Sequence, residues 1–145
     1  MVIVVGANDF DASLAGDPGC ADLDCWADTR AMLAATLDQV LTRISALVPA
    51  RAPVVLTGYG NVFLDGAAGA ALGPTYVANS DALTRSVNSV LASTAAAHSD
   101  RYADGYAALQ GDRREAGALL ASDGDQPDAA AHLALAAAVQ RALSA

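Results

Sequence analysis

At 145 residues the chain is the size of one domain, and its 54% apolar and 17% charged content fits a folded globule rather than a disordered segment. The net charge is −8, and all eight basic residues are scattered arginines, which excludes nucleic-acid binding through a clustered basic surface. The longest apolar runs hold only a few residues, so no membrane span is expected.

Residues 2–5 (Val2, Ile3, Val4, Val5) form a continuous apolar run, the pattern of a strand buried on both faces of a helix-covered parallel sheet. Residues 11–25 are rich in Gly, Asp and Pro and read as a loop. Over 28–48, Leu33, Leu37, Val40, Leu41, Ile44, Leu47 and Val48 recur at three and four, predicting an amphipathic helix that Pro49 ends. Residues 53–57 predict a second buried strand, left through the loop Gly58-Tyr59-Gly60-Asn61. Residues 64–78 are rich in Gly and Ala and give no clear element. Ser80 can cap a helix with Leu83, Val87, Val90 and Leu91 on its buried face. A short third strand is expected over 101–104. Residues 111–128 read mostly as loop, with a helical turn over 117–120. Pro127 suits the first turn of a last helix that buries Leu133, Ala136, Val139 and Leu143.

The order β-α-β-α-β-α implies a parallel sheet with right-handed crossovers. One feature conflicts with a three-stranded sheet: the first strand is apolar on both faces, so an edge would be apolar and unpaired. Either further strands lie upstream or a partner covers that edge, for instance a second copy in a homo-oligomer. Cys20 and Cys25 sit in the loop-like stretch, where a disulfide would constrain the unfolded chain by about 2 kcal/mol and would suit an exported protein. Two free thiols are the other reading. No signal peptide is visible. Two cysteines alone do not make a zinc site, and Gly66-Ala67-Ala68-Gly69 lacks the lysine of a phosphate loop, so no metal or other cofactor is expected.

The two ends of the chain carry a resemblance. Gly6-Ala7-Asn8-Asp9 resembles the third sequence block of the SGNH (GDSL-type) serine ester hydrolases, Gly-x-Asn-Asp. Asp123-Gly124-Asp125-Gln126-Pro127 followed by Ala131-His132 is similar to the fifth block, Asp-Gly-x-His-Pro. The intervening strand, loop and Tyr102-Ala103-Asp104 fall at matching spacing, and the cysteine-bearing loop resembles the family's secreted actinobacterial branch. The resemblance implies a three-layer α/β/α, flavodoxin-like fold acting on small acyl esters or acylated glycans outside the cytoplasm. Residues 1–145 would form one partial domain, a C-terminal portion lacking its first strands, because the block with the nucleophilic serine has no counterpart.

The same resemblance gives Asn8 the role of oxyanion-hole donor, a role worth ~3 kcal/mol in comparable enzymes. On its residues alone, Asn8 also reads as a turn asparagine bonding its own backbone. Asp123 takes the position of the triad acid, and a solvated loop aspartate is its other reading. The triad histidine position holds Gln126, which has no group titrating near neutral pH and cannot take a serine proton. Gly6, Asp9, Gly58 and Asn61 would line the substrate. His132 reads as structural, and Ser13, Ser80 and Ser122 lie in no nucleophile context. The expectation is therefore an ester hydrolase in truncated or inactive form. The alternative is a non-catalytic ligand-binding or partner-completed protein of the same fold.

Overall fold

The computed structural model of the chain describes residues 1–64, 66–110, 119–121 and 126–145. Three short parallel strands, β1 (Val2–Ile3), β2 (Val55–Thr57) and β3 (Arg101–Ala103), form one sheet in the order β1-β2-β3. The register sets Ile3 opposite Leu56 and Leu56 opposite Tyr102. Helices alternate with the strands: α1 (Ala27–Leu47), α2 (Gly66–Ala70), α3 (Pro74–Ala97), α4 (Gly105–Gln110) and α5 (Ala129–Ser144). The fold is mixed α/β with a small parallel sheet, as the order of elements in the sequence implies.

Side-chain alternation along the strands sorts the core into two parts. Leu56 joins Leu33, Leu37 and Leu41 of α1 and Leu83, Val87 and Leu91 of α3 in the main cluster. Val55 and Ala103 pack on the opposite face against Ala138 of α5. Each leucine stripe recurs at four, and α1 stops at Leu47 because Pro49 holds Val48 in an extended conformation.

The structure corrects several expectations. Far from being buried on both faces, Val2, Val4 and Val5 are exposed, because β1 is an edge strand and α5 packs over β2 and β3 instead. Helix α3 starts at Pro74, whose missing N–H costs nothing in a first turn. Ser80 thus lies inside the helix rather than capping it, and its hydroxyl bonds back to the Val77 carbonyl at 3.0 Å. The last helix is capped by Asp128, whose carboxylate accepts from the Ala131 N–H at 2.8 Å. Pro127 lies before the helix and bridges Leu120. The buried face of α5 is built on Ala131 and Ala138, two turns apart, with Val139 and Ala142 beside them, while Leu133, Ala136 and Leu143 are exposed. Alanines let this helix lie close on the sheet, which leucines on the same face would prevent. Helix α4 was not expected; its signal is Asp104, whose carboxylate accepts from the Ala107 N–H at 2.9 Å. Most of the turn expected over 117–120 lies outside the described residues.

Residues 11–25 fold into short 3₁₀ turns, Ala12–Gly16, Pro18–Cys20 and the start of Asp24–Trp26. Cys20 and Cys25 form a disulfide across them. Four hydrogen bonds tie this segment down. The Trp26 indole donates to the Asp11 carbonyl at 3.0 Å, Asn79 donates to the carbonyls of Ala15 and Asp17, and Arg30 donates to that of Leu23. Reducing the disulfide releases a loop closed by cysteines five positions apart and is expected to cost about 2 kcal/mol in urea unfolding. A loss below about 0.5 kcal/mol would mean that the side-chain bonds alone hold the segment.

Candidate functional site

In a parallel sheet the loops leaving the carboxyl ends of the strands converge on one edge. Here those loops are residues 4–10 after β1, 58–64 after β2 and the start of α4 after β3. Gly6 leaves β1 with φ 110°, a left-handed value, and a Cβ there would stand 2.9 Å from the Leu33 side chain, so the turn needs glycine. The 3₁₀ turn Ala7–Asp9 follows. Asn8 and Asp9 face solvent, and the Asn8 carboxamide makes no hydrogen bond among the described residues. The reading of Asn8 as a turn residue bonding its own backbone is therefore set aside.

The loop after β2 is held by α3. Ser80, Thr84 and Asn88 recur every four residues and form a buried polar ladder beside the apolar stripe. Asn88 clamps Tyr59 twice, accepting from its N–H and donating to its C=O, both at 2.8 Å. The Thr84 hydroxyl donates to the Asn61 carboxamide oxygen at 3.0 Å, and the Asn61 NH₂ group donates to Ser80 at 3.4 Å. Asn61 is thus spent on the scaffold and does not present its amide to a ligand. Gly58 is buried, and a Cβ there would come within 2.1 Å of the Tyr102 hydroxyl. Gly105 packs equally closely, with its Cβ position 1.8 Å from the Gly58 carbonyl oxygen. The ends of β2 and β3 therefore meet with no room for side chains at these two positions.

Tyr59 links the two loops. Its half-buried phenol lies against the Ala7 backbone N–H and near Asp9. Burial raises its pKa, the Ala7 N–H pulls the other way, and the Asp9 carboxylate adds to the rise. Burial, reinforced by Asp104, likewise pushes Tyr102 up to about 12. A third tyrosine, Tyr106 of α4, is pushed up to about 12 by burial and by its bond to Asp81. Arg85 stacks on that ring, 4.2 Å from its centre, donates to its hydroxyl at 2.7 Å and pairs with Asp81 at 2.8 Å, tying α4 to α3.

The residues similar to the fifth block are only partly described. Asp123 lies outside the described residues. Gln126 is exposed, and its main-chain oxygen accepts from the Ala121 N–H at 2.7 Å. Arg101, at the start of β3, donates to the Ala142 carbonyl near the end of α5, so α5 runs antiparallel to the strands. His132 is exposed, and His98 pairs with Asp38 at 2.9 Å, far along α1 from this edge. The hydroxyl of Thr57, buried at the end of β2, is without a partner among the described residues.

Sequence reasoning missed Tyr59 as the link and the ladder as its support. The signal for the ladder was present: three small polar residues at a spacing of four, running parallel to Leu83, Val87 and Leu91. No group of metal-ligating side chains is assembled among the described residues, and no helix is long and apolar enough to cross a membrane. No family model, no curated protein and no solved structure matches the chain.

Two outcomes are expected. Asn88→Ala strands the Tyr59 N–H and C=O and should cost about 2 kcal/mol in urea unfolding; a cost near zero would show that the loop is held by other contacts. Tyr102 ionises near 10 in the unfolded chain and near 12 in the folded one, so its contribution to stability is complete below pH 10 and lost as pH rises through 12. Phenolate absorbance and unfolding measured over that window should show this, and Tyr102→Phe should flatten the decline.

Proposed function

We propose that the chain is an SGNH-type ester hydrolase by descent, hydrolytically silent as it stands, whose carboxyl edge keeps the acyl-oxygen site. The observation that carries this reading is Asn8. It follows a left-handed glycine at the carboxyl end of a parallel strand, faces solvent, and its NH₂ group has no hydrogen-bond partner among the described residues. A carboxamide so placed can donate to the carbonyl oxygen of a short acyl ester or an acylated glycan, and more strongly to the oxyanion formed on attack. Helices on both faces of the sheet are compatible with the three-layer arrangement of that family. The Cys20–Cys25 disulfide suits a protein working outside the cytoplasm.

The silence follows from the other half of the chemistry. Acyl transfer needs a nucleophile and a base within hydrogen-bond reach of each other. Gln126 offers neither a titrating nitrogen nor a route to one. Ser80, the best-buried serine, is committed to Val77 and Asn61. Asp9 beside Tyr59 leaves the edge acidic, which favours a neutral ester over its carboxylate product.

The test has two parts. A chromogenic short acyl ester should be hydrolysed no faster than in buffer, and Gln126→His alone should not change that, since no serine among the described residues is placed to use the imidazole. Hydrolysis by the unaltered chain would contradict the silent form. Titration with methyl butyrate, followed by NMR, should shift the amides of residues 6–9, and Asn8→Ala should weaken binding about fivefold, the worth of one hydrogen bond. Shifts confined to other surfaces, or unchanged affinity in Asn8→Ala, would overturn the assignment.

A further inference from the structure

A carbonyl oxygen carries two lone pairs, and the oxyanion formed from it is held best by more than one donor. The Asn8 carboxamide supplies one. Register brings a second candidate to its side. Ile3 of β1 stands opposite Leu56 of β2, and three residues beyond each come Gly6 and Tyr59. The two chains leave the sheet together, so the start of the Asn8 turn and Tyr59 are neighbours across the carboxyl edge.

Tyr59 is held at three points. Asn88 accepts from its N–H and donates to its C=O, both at 2.8 Å. Its half-buried ring packs on the main core. Its phenol oxygen accepts from the N–H of Ala7, the residue next to Asn8. A phenol that accepts one hydrogen bond still has its own O–H to give. Asp9 acts on this group through its charge and not as a hydrogen-bond acceptor, and among the described residues no other acceptor takes the proton. Burial and the Asp9 carboxylate both oppose ionisation, so the O–H persists at neutral pH. The neighbouring phenols are placed differently: Tyr106 gives its proton to Asp81, and the Tyr102 hydroxyl lies at Gly58, on the side of Tyr59 away from β1.

We propose that the Tyr59 hydroxyl is the second hydrogen-bond donor to the acyl oxygen, paired with the Asn8 carboxamide. The inference rests on the reading of Asn8 as an acyl-oxygen donor. Both groups are neutral, so together they suit the carbonyl of an ester. Tyr59 binds and orients, and no proton leaves it. Its clamp on Asn88 fixes this donor before a ligand arrives, which spares the cost of ordering it on binding.

The test titrates the whole chain with methyl butyrate isotope-labelled at its carbonyl carbon. Tyr59→Phe removes only the hydroxyl and keeps the ring and the main-chain clamp. Binding should move the carbonyl resonance downfield in the unaltered chain. In Tyr59→Phe that shift should shrink, and the dissociation constant should rise about fivefold, the worth of one hydrogen bond. A second readout needs no substitution: the ring carbon bearing the Tyr59 hydroxyl should shift as ester is added, while those of Tyr76, Tyr102 and Tyr106 stay in place. Equal affinity and an equal carbonyl shift in Tyr59→Phe, or a Tyr59 ring signal unmoved by ester, would overturn the proposal. Weaker binding in Asn8→Ala alongside either result would leave the Asn8 reading standing. No ester-induced shift at residues 6–9 of the unaltered chain would overturn both.

Discussion

The carboxyl edge of the sheet depends on one arrangement, the polar ladder of α3 that holds the loop after β2. Ser80, Thr84 and Asn88 are buried, and each would cost free energy there without a partner. The loop needs the same bonds, because the Tyr59 backbone leaves the sheet ladder at Gly58. Asn88 resolves both needs with a pair of 2.8 Å bonds, and Thr84 and Ser80 fix Asn61 below it. With Tyr59 held by its backbone, its phenol is placed against Ala7 and Asp9. The turn bearing Asn8 is thus supported from the far side of the sheet, through α3 and β2. The bare Cα atoms of Gly58 and Gly105 permit the close approach on which the ladder acts.

A second constraint shapes the rest of the molecule. Three strands of two or three residues make a narrow sheet, and its two edges are treated differently. The β3 side is covered by α4 and α5, with Arg101 bonded to the last turn of α5. The β1 side is open, and the valines that would fill a sheet interior meet water instead. Exposing such residues forfeits roughly 1.5–3 kcal/mol of burial for each.

Much of this architecture was legible in the sequence. The three strands and the helix of residues 27–47 follow from apolar runs and from leucines at a spacing of four, where period and breaker agree. Local signals were weaker elsewhere. Ser80 resembles a cap because serine favours that position, but Pro74 six residues earlier had already started the helix, and burial then made the serine a ladder rung. In α5 the leucines mark the wrong face, because contact with the sheet there selects alanines. The strand at residues 2–5 has the composition of a central strand and the position of an edge strand, a conflict that the residue pattern itself displays. At the site, Gly6, Asn8 and Asp9 follow β1 and Gly58 follows β2, while Asn61 is hydrogen-bonded to Ser80 and Thr84 of α3. Tyr59 escaped notice because its role depends on contact between two loops far apart in sequence.

The account turns on whether the carboxamide of Asn8 is a working hydrogen-bond donor to an acyl oxygen. The most direct measurement is the NMR signal of its side-chain NH₂ protons while an acyl ester such as ethyl acetate is added. The account predicts a saturable downfield shift of one of these protons, accompanied by the Ala7 amide and absent from the side chain of Asn61. Asn8 protons that stay at their solvent-exposed position throughout the titration would contradict it.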